Sequence, residues 1–252
     1  MSPRLGLPDR ADSLAWAGDG AAHLRGLMLR MGDEAFRAPS LLPGWSRAHV
    51  LTHVARNADA MINLVRWATT GDRTPAYPSR KRRDADIEAG ATRAPEEIRA
   101  DVVDSSDRLA DVVRTMPEQA WSAEVETPQG IRLPAAVIPW ARAREVWVHA
   151  VDLDVGASFA DMPPPMLTVL LTDVATSMSA RQGCPRMVLE DTESGARVEA
   201  GPGPDGPDGP SGDLGTVRGS ASDLATWLLG RSAGSGLRTP DGTKPGRLPA
   251  WL

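Results

Sequence analysis

Four separate stretches of this chain carry apolar residues at intervals of three and four, and stripes of that kind have to be buried against one another in a helical bundle. From Asp9 to about Met31 the repeat is Leu14, Ala17, Ala21, Leu24, Leu27 and Met28. The segment "LLPGWSRAHVLTHVARNADAMINLVRWA" opens on Pro43-Gly44, offers Ser46 as an N-cap and sets Trp45 and Val50 at hydrophobic-staple positions. It predicts a second helix from near Arg47 to about Ala68. A polar, proline-bearing stretch from Gly71 to about Ala94 reads as a loop. Ile98, Val102, Leu109, Val112, Val113 and Met116 then mark a third helix, with Pro95 suited to its first turn. A fourth ends at Leu153 and begins at Ala135 or Trp140, because Pro139 can either kink a helix or start one.

The texture changes beyond about Phe159. "PPPMLTVLLTDVATSMSARQG" reads as a helix closed by Gly183, and "RMVLEDTESGARVEA" as two short strands around a Ser-Gly turn. Gly201 to Gly215 is too rich in Gly and Pro for regular structure and reads as a mobile loop. A strand, a turn with Ser222 as candidate N-cap and a helix ending at Gly230 follow. The expected fold class is α+β: a helical bundle over residues 1–158, then a small α+β domain over residues 159–252.

Length and charge remove several functions. At 252 residues the chain suits one large or two small domains. No run approaches the ~18 consecutive apolar residues of a membrane span, so a soluble protein with no membrane partner is expected. The N-terminus lacks an apolar signal core, which makes the cytoplasm the default location. The net charge of −5, with one short basic run from Arg80 to Arg83, argues against nucleic acid as a partner. The single cysteine, Cys184, excludes an internal disulfide framework and reads as structural. Thiol chemistry would need Cys184 or a thiol from outside. A monomer is the default assembly.

Scarce histidines narrow the search for a site: the chain has four. His49 and His53 lie four apart on the second helix, and Glu145 and His149 four apart on the fourth, so each pair shares a helix face. Two facing helices could thus bring imidazole and carboxylate donors to one point, the ligand types that zinc, nickel or ferrous iron accept. His49 falls at the third position after Ser46, where a polar side chain helps an exposed helix end. His53 is rotated from it by about 40°, towards Val50, Val54 and Met61, and is the better ligand. HxxxH and ExxxH are short patterns, and surface or capping histidines with an ordinary polar pair would produce them too. The apolar neighbours Val146, Trp147, Val148 and Val151 weigh against that reading, since an unpartnered buried carboxylate is costly. Asp152, three residues after His149, could orient a ligand histidine or simply be a charge near the helix end.

"LLPGWSRAHVLTHVARNA", "RAREVWVHAVDL" and a chain closing on "LPAWL" together resemble the mycothiol-dependent maleylpyruvate isomerases, metalloenzymes with a DinB-like four-helix bundle and a small C-terminal α+β domain. The likeness runs nearly end to end; the motifs are individually modest, and their order and spacing make them specific. The resemblance implies zinc held by His53, Glu145 and His149, and mycothiol as the external thiol. It matches Arg83 to an arginine after the second helix and Arg231 to one that lies over the pocket. Both would act on a dicarboxylate substrate, and Arg231 on the thiol as well. The implied chemistry is thiol addition to the cis double bond of maleylpyruvate, rotation, and elimination to fumarylpyruvate in gentisate-type aromatic degradation. Transfer of the thiol to another electrophile, or a non-catalytic metal-binding bundle, are the competing functions.

Overall fold

The computed structural model describes residues 8–202 and 212–251. They form two compact units, residues 1–157 and 158–252. The first unit is a helical bundle: α1 (Arg10–Arg30), α2 (Arg47–Thr70), α3 (Arg80–Ala91), α4 (Pro95–Arg114) and α5 (Ile138–Asp152). α1 packs on α5 and α4, and α2 on α3, α4 and α5. α2 is therefore the central helix, and its buried residues extend round much of its circumference. No helix among the described residues is long and apolar enough to cross a membrane.

Local chemistry explains where these helices begin. The Ser46 side chain accepts from the His49 backbone N–H, and His49 Nδ1 accepts from the Ser46 N–H in return, closing a capping box at the start of α2. Pro139 sits in the first turn of α5, after a 3-10 turn over Ala135–Val137, so it starts the helix rather than kinking it.

The structure departs from the sequence expectations at several points. The stretch from Gly71 to Ala94 is not all loop, because α3 forms within it. Much of its support is polar: Ser79 accepts from Arg82 N–H, Arg82 pairs with Asp86 at 3.0 Å, and Arg37, from an earlier turn, donates to the Ala91, Thr92 and Arg93 carbonyls at the far end. A three-residue hairpin, β1 (Glu124–Glu126) with β2 (Arg132–Pro134), stands between α4 and α5 and buries Val125. The buried face of α1 is Ser13, Trp16, Gly20, Leu24, Leu27 and Met28, while Leu14 is exposed. The turn of that stripe follows α5: Trp147 Nε1 donates to the Trp16 carbonyl at 2.9 Å, and the two helices close at Gly20.

The second unit contains α6 (Pro164–Ser179), β3 (Arg186–Asp191), β4 (Arg197–Ala200), β5 (Asp213–Gly219) and α7 (Ala221–Leu228). β3 is central, antiparallel to β4 and parallel to β5. α6 packs on β4 and α7, and α7 on β3. Ser220, not Ser222, caps α7, which ends at Leu228, before Gly230. Of the Gly/Pro stretch expected to be mobile, residues 203–211 lie outside the described residues, whereas Asp213, Leu214 and Gly215 already belong to β5.

Arg142 ties the bundle together below the site. It is 4% exposed, and its Nη1 donates to the Val54 carbonyl at 2.9 Å and Asn57 Oδ1 at 2.8 Å, while Nη2 donates to Ser106 Oγ at 3.1 Å. One guanidinium thus links α5 to α2 and α4. Arg142→Met should lower unfolding stability by about 3 kcal/mol, measured by denaturant titration, because it leaves several polar groups without their donor. A paired test addresses the close helix approach. A Cβ on Gly20 would lie 2.6 Å from the Trp147 ring and from Val146 Cγ2, whereas one on Gly18 would meet nothing within 4 Å. Gly18→Ala should stabilise by up to about 1 kcal/mol through helix propensity. Gly20→Ala should destabilise by about 1–3 kcal/mol, overpacking outweighing the same propensity gain.

Candidate metal centre

α2 and α5 bring three donors together. His53, in the second turn after the Ser46 cap, places its Nε2 3.0 Å from Glu145 Oε2, although 92 residues separate them in sequence. His149, one turn beyond Glu145, places its own Nε2 3.3 Å from the same oxygen. The two imidazole rings stand edge to face with centroids 4.7 Å apart. One donor atom from each residue lies within 4.8 Å of the others. Both histidines are buried, and Glu145 is half-buried.

The donor set fits a divalent cation. Tetrahedral zinc with bonds of about 2.0–2.1 Å sets its ligands roughly 3.3 Å apart, close to the spacings around Glu145 Oε2. Two neutral imidazoles and one carboxylate are three protein ligands, the number that leaves a coordination position open for chemistry. The outer contacts also suit this. His149 Nδ1 lies 2.9 Å from Asp152 Oδ2, and Asp152 is fully buried, so the carboxylate fixes the ring with Nε2 turned to the centre.

The electrostatics follow from burial and these contacts. Burial pushes the Glu145 carboxyl up, but hydrogen bonds from His149 and His53 outweigh it and hold the carboxyl well below its ordinary range. Burial acts downwards on His149, yet its hydrogen bonds to Asp152 and Glu145 raise it to about 9. His53 moves the other way: burial lowers it, and the neighbouring His149 and Arg83 charges add to that despite the bond to Glu145. Burial also lowers Arg142 to about 10, against the pull of Glu145, and the guanidinium stays charged at neutral pH. The three groups are thus pulled in different directions, Glu145 towards its anion, His149 towards its protonated form and His53 towards its neutral form.

Five of the residues named from sequence meet here, Asp152 behind His149 being one of them. His53, Glu145 and His149 form the cluster, and Arg83 Nη2 lies 3.2 Å from His53 Nδ1. In the basic run Arg80, Lys81 and Arg82 are exposed, and Arg83 is the member turned inward. His49 stays outside, between Ser46 and Glu88. His23 stacks on Trp147 with centroids 5.0 Å apart. Cys184 belongs to the second unit; it is buried, and burial pushes its thiol up, as for an inert cysteine. Arg231 also belongs to the second unit, just beyond α7, where its backbone N–H donates to the Thr226 carbonyl and its Nη1 to the Leu229 carbonyl. Sequence reasoning missed Tyr77 and Trp45. The Arg83 guanidinium sits 5.8 Å from the centre of the Tyr77 ring, and Trp45 meets His53 edge to face at 5.6 Å. Tyr77 is the chain's single tyrosine, a signal that singles it out without saying what it touches.

Comparison with known proteins places this centre in a family. Residues 17–154 match the family model described as the mycothiol maleylpyruvate isomerase N-terminal domain, a span that includes the whole donor set. Among solved structures the chain is similar to the mycothiol-dependent maleylpyruvate isomerase, with 36% identity, all of both chains covered and a TM-score of 0.87. It is equally similar to a histidine-to-alanine mutant of that enzyme, with 35% identity, all of both chains covered and a TM-score of 0.88. No curated protein matches. Fold, donor set and end-to-end identity agree: the chain belongs to the mycothiol-dependent maleylpyruvate isomerase family.

Proposed function

We propose that this protein is a cytoplasmic cis-trans isomerase that converts maleylpyruvate to fumarylpyruvate with zinc and mycothiol. The observation that carries this reading is the convergence of His53, Glu145 and His149 on one point of the bundle, with Arg83 beside them. Full-length similarity to an enzyme that bears this name supports it.

The residues divide the work. His53, Glu145 and His149 would hold the cation, and Asp152 would keep His149 in the tautomer that offers Nε2. When bound, zinc would supply the charge that keeps a thiol deprotonated at neutral pH, and mycothiol the nucleophile whose reversible addition lets the double bond rotate. Arg83 would bind a substrate carboxylate and stabilise negative charge that develops beside it, with a planar fork suited to that geometry. Arg231 enters through the family resemblance alone, as a second partner for substrate carboxylate and thiol. Trp45 packs edge to face on His53, and Tyr77 lies against the Arg83 guanidinium, so each would steady one of these side chains.

Purified protein should form fumarylpyruvate only when both mycothiol and a divalent metal are present. Chelation should abolish turnover, and His53→Ala should reduce it at least about 100-fold. A lasting mycothiol adduct in place of the trans product would assign the chain to S-transfer. Asp152→Asn should weaken metal affinity about 10- to 100-fold with little change in helix content. Metal affinity should also depend on pH with a defined sign. Because His149 is raised to about 9, it carries a proton at neutral pH that the cation must displace. Affinity should rise roughly tenfold per pH unit up to about pH 9, with about one proton released per metal in calorimetry at pH 7.5. A flat profile would contradict the assignment of His149.

A further inference from the structure

His53 has two suitors. A guanidinium has only donors, so the contact of Arg83 Nη2 with His53 Nδ1 requires a bare nitrogen at Nδ1. The one proton of the neutral ring then sits on Nε2 and points at Glu145 Oε2, 3.0 Å away. A cation held between the two histidines and Glu145 needs the opposite tautomer, with Nε2 bare and the proton on Nδ1. That Nδ1–H would face the Arg83 N–H, donor against donor. The two uses of His53 are mutually exclusive.

Arg83 has somewhere else to go. It lines a cavity of about 480 Å³ between α2 and α3, whose wall also includes Arg56, Asp59, Asn63, Tyr77 and Asp86. The other arginines of that cavity are engaged by carboxylates of α2, α3 and α4. Arg56 pairs with Asp59 at 2.9 Å and Asp101 at 2.6 Å, Arg93 with Asp101, and Arg82 with Asp86 at 3.0 Å. Arg83 meets one carboxylate among the described residues, the exposed Asp84, through Nη1 at 2.8 Å; its other contacts are the neutral Tyr77 side chain and, through Nη2, the imidazole. It is the guanidinium on this wall whose inner contacts are with neutral rings, Tyr77 and His53, rather than with a carboxylate, and so the one that exchanges partners most cheaply.

We propose that His53 serves Arg83 and the metal in turn, so that loading the cation releases the Arg83 guanidinium into the adjoining cavity to take a substrate carboxylate. Metal binding and carboxylate binding are then coupled, and by linkage each strengthens the other. The coupling rests on the metal and dicarboxylate reading above. It adds an order of events: the arginine is withheld until the cation is in place.

The test uses the full-length protein with zinc as the probe. Zinc titrations of the wild type and Arg83→Met should show the variant binding about fivefold or more tightly, since zinc no longer displaces a hydrogen bond. Loss of charge repulsion alone would raise affinity too, so a second readout decides the cause. In nitrogen-15 spectra of chelated wild type, the Arg83 Nη signals should be resolved by slow rotation and the bare nitrogen of His53 should be Nδ1. On zinc loading the Arg83 signals should merge and the bare nitrogen should disappear from Nδ1, and maleate added afterwards should hold the guanidinium again. Arg83 signals that stay resolved through zinc loading, or an Arg83→Met variant that binds zinc no better than wild type, would overturn the proposal. Isomerase turnover of the same zinc-loaded wild type separates the two levels: turnover with an Arg83 that never moves sinks the coupling and leaves the enzyme reading standing, whereas failure of zinc to bind His53 sinks both.

Discussion

A single carboxylate oxygen, Glu145 Oε2, accepts from imidazoles on two helices inside a bundle, and that shared acceptor fixes how α2 and α5 face each other. A carboxylate taken out of water is expensive unless its charge is met. Here it is met by His149 from the same helix and His53 from the facing one, and the first of these is itself braced by the buried Asp152. One turn earlier on α5, Arg142 repeats the arrangement with opposite sign, donating across to α2 and α4. The polar layer and the apolar core are therefore one construction. Moving either helix by a fraction of a turn would break the Arg142 bonds and pull the donor set apart together.

The long helices were legible because each buries one stripe at helical spacing and begins at a recognisable cap or proline. The donor set was legible for a related reason. The rotation of about 40° that separates His53 from His49 turns one towards the Val50 and Val54 face and leaves the other at the helix end, and the structure places them that way. Tertiary choices were not legible. The stripe of α1 is turned towards Trp16 and Gly20 because Trp147 of α5 needs an acceptor and a close approach there, which nothing in α1 alone announces. α3 escaped because its buried residues, Ile87, Gly90 and Ala91, all lie in its last turns, too few to set a period. Three-residue strands such as β1 and β2 are likewise too short to alternate visibly. Arg83 could be named only through family resemblance, since no spacing rule relates a helix start at Ser79 to a histidine 30 residues earlier.

The centre also shows how one family scaffold separates binding from chemistry. Its protein donors are few and rigidly held, two imidazoles and one carboxylate from two helices, and the chain's one cysteine is buried in the other unit. What the chain supplies is charge at a partly buried point of the bundle: a Glu145 held towards its anion, a histidine pair with opposite protonation tendencies, and a guanidinium within reach. A cation needs both rings neutral, so His53 is already suited to it while His149 has to surrender a proton on loading.

The most direct measurement is a crystal structure of the zinc-loaded protein with anomalous scattering recorded at the zinc edge. The account predicts one peak in the bundle, bonded to His53 Nε2, Glu145 and His149 Nε2, with at least one position of the shell not filled by protein. A peak bonded instead to His49 and Glu88, or a shell closed by four protein ligands, would contradict it.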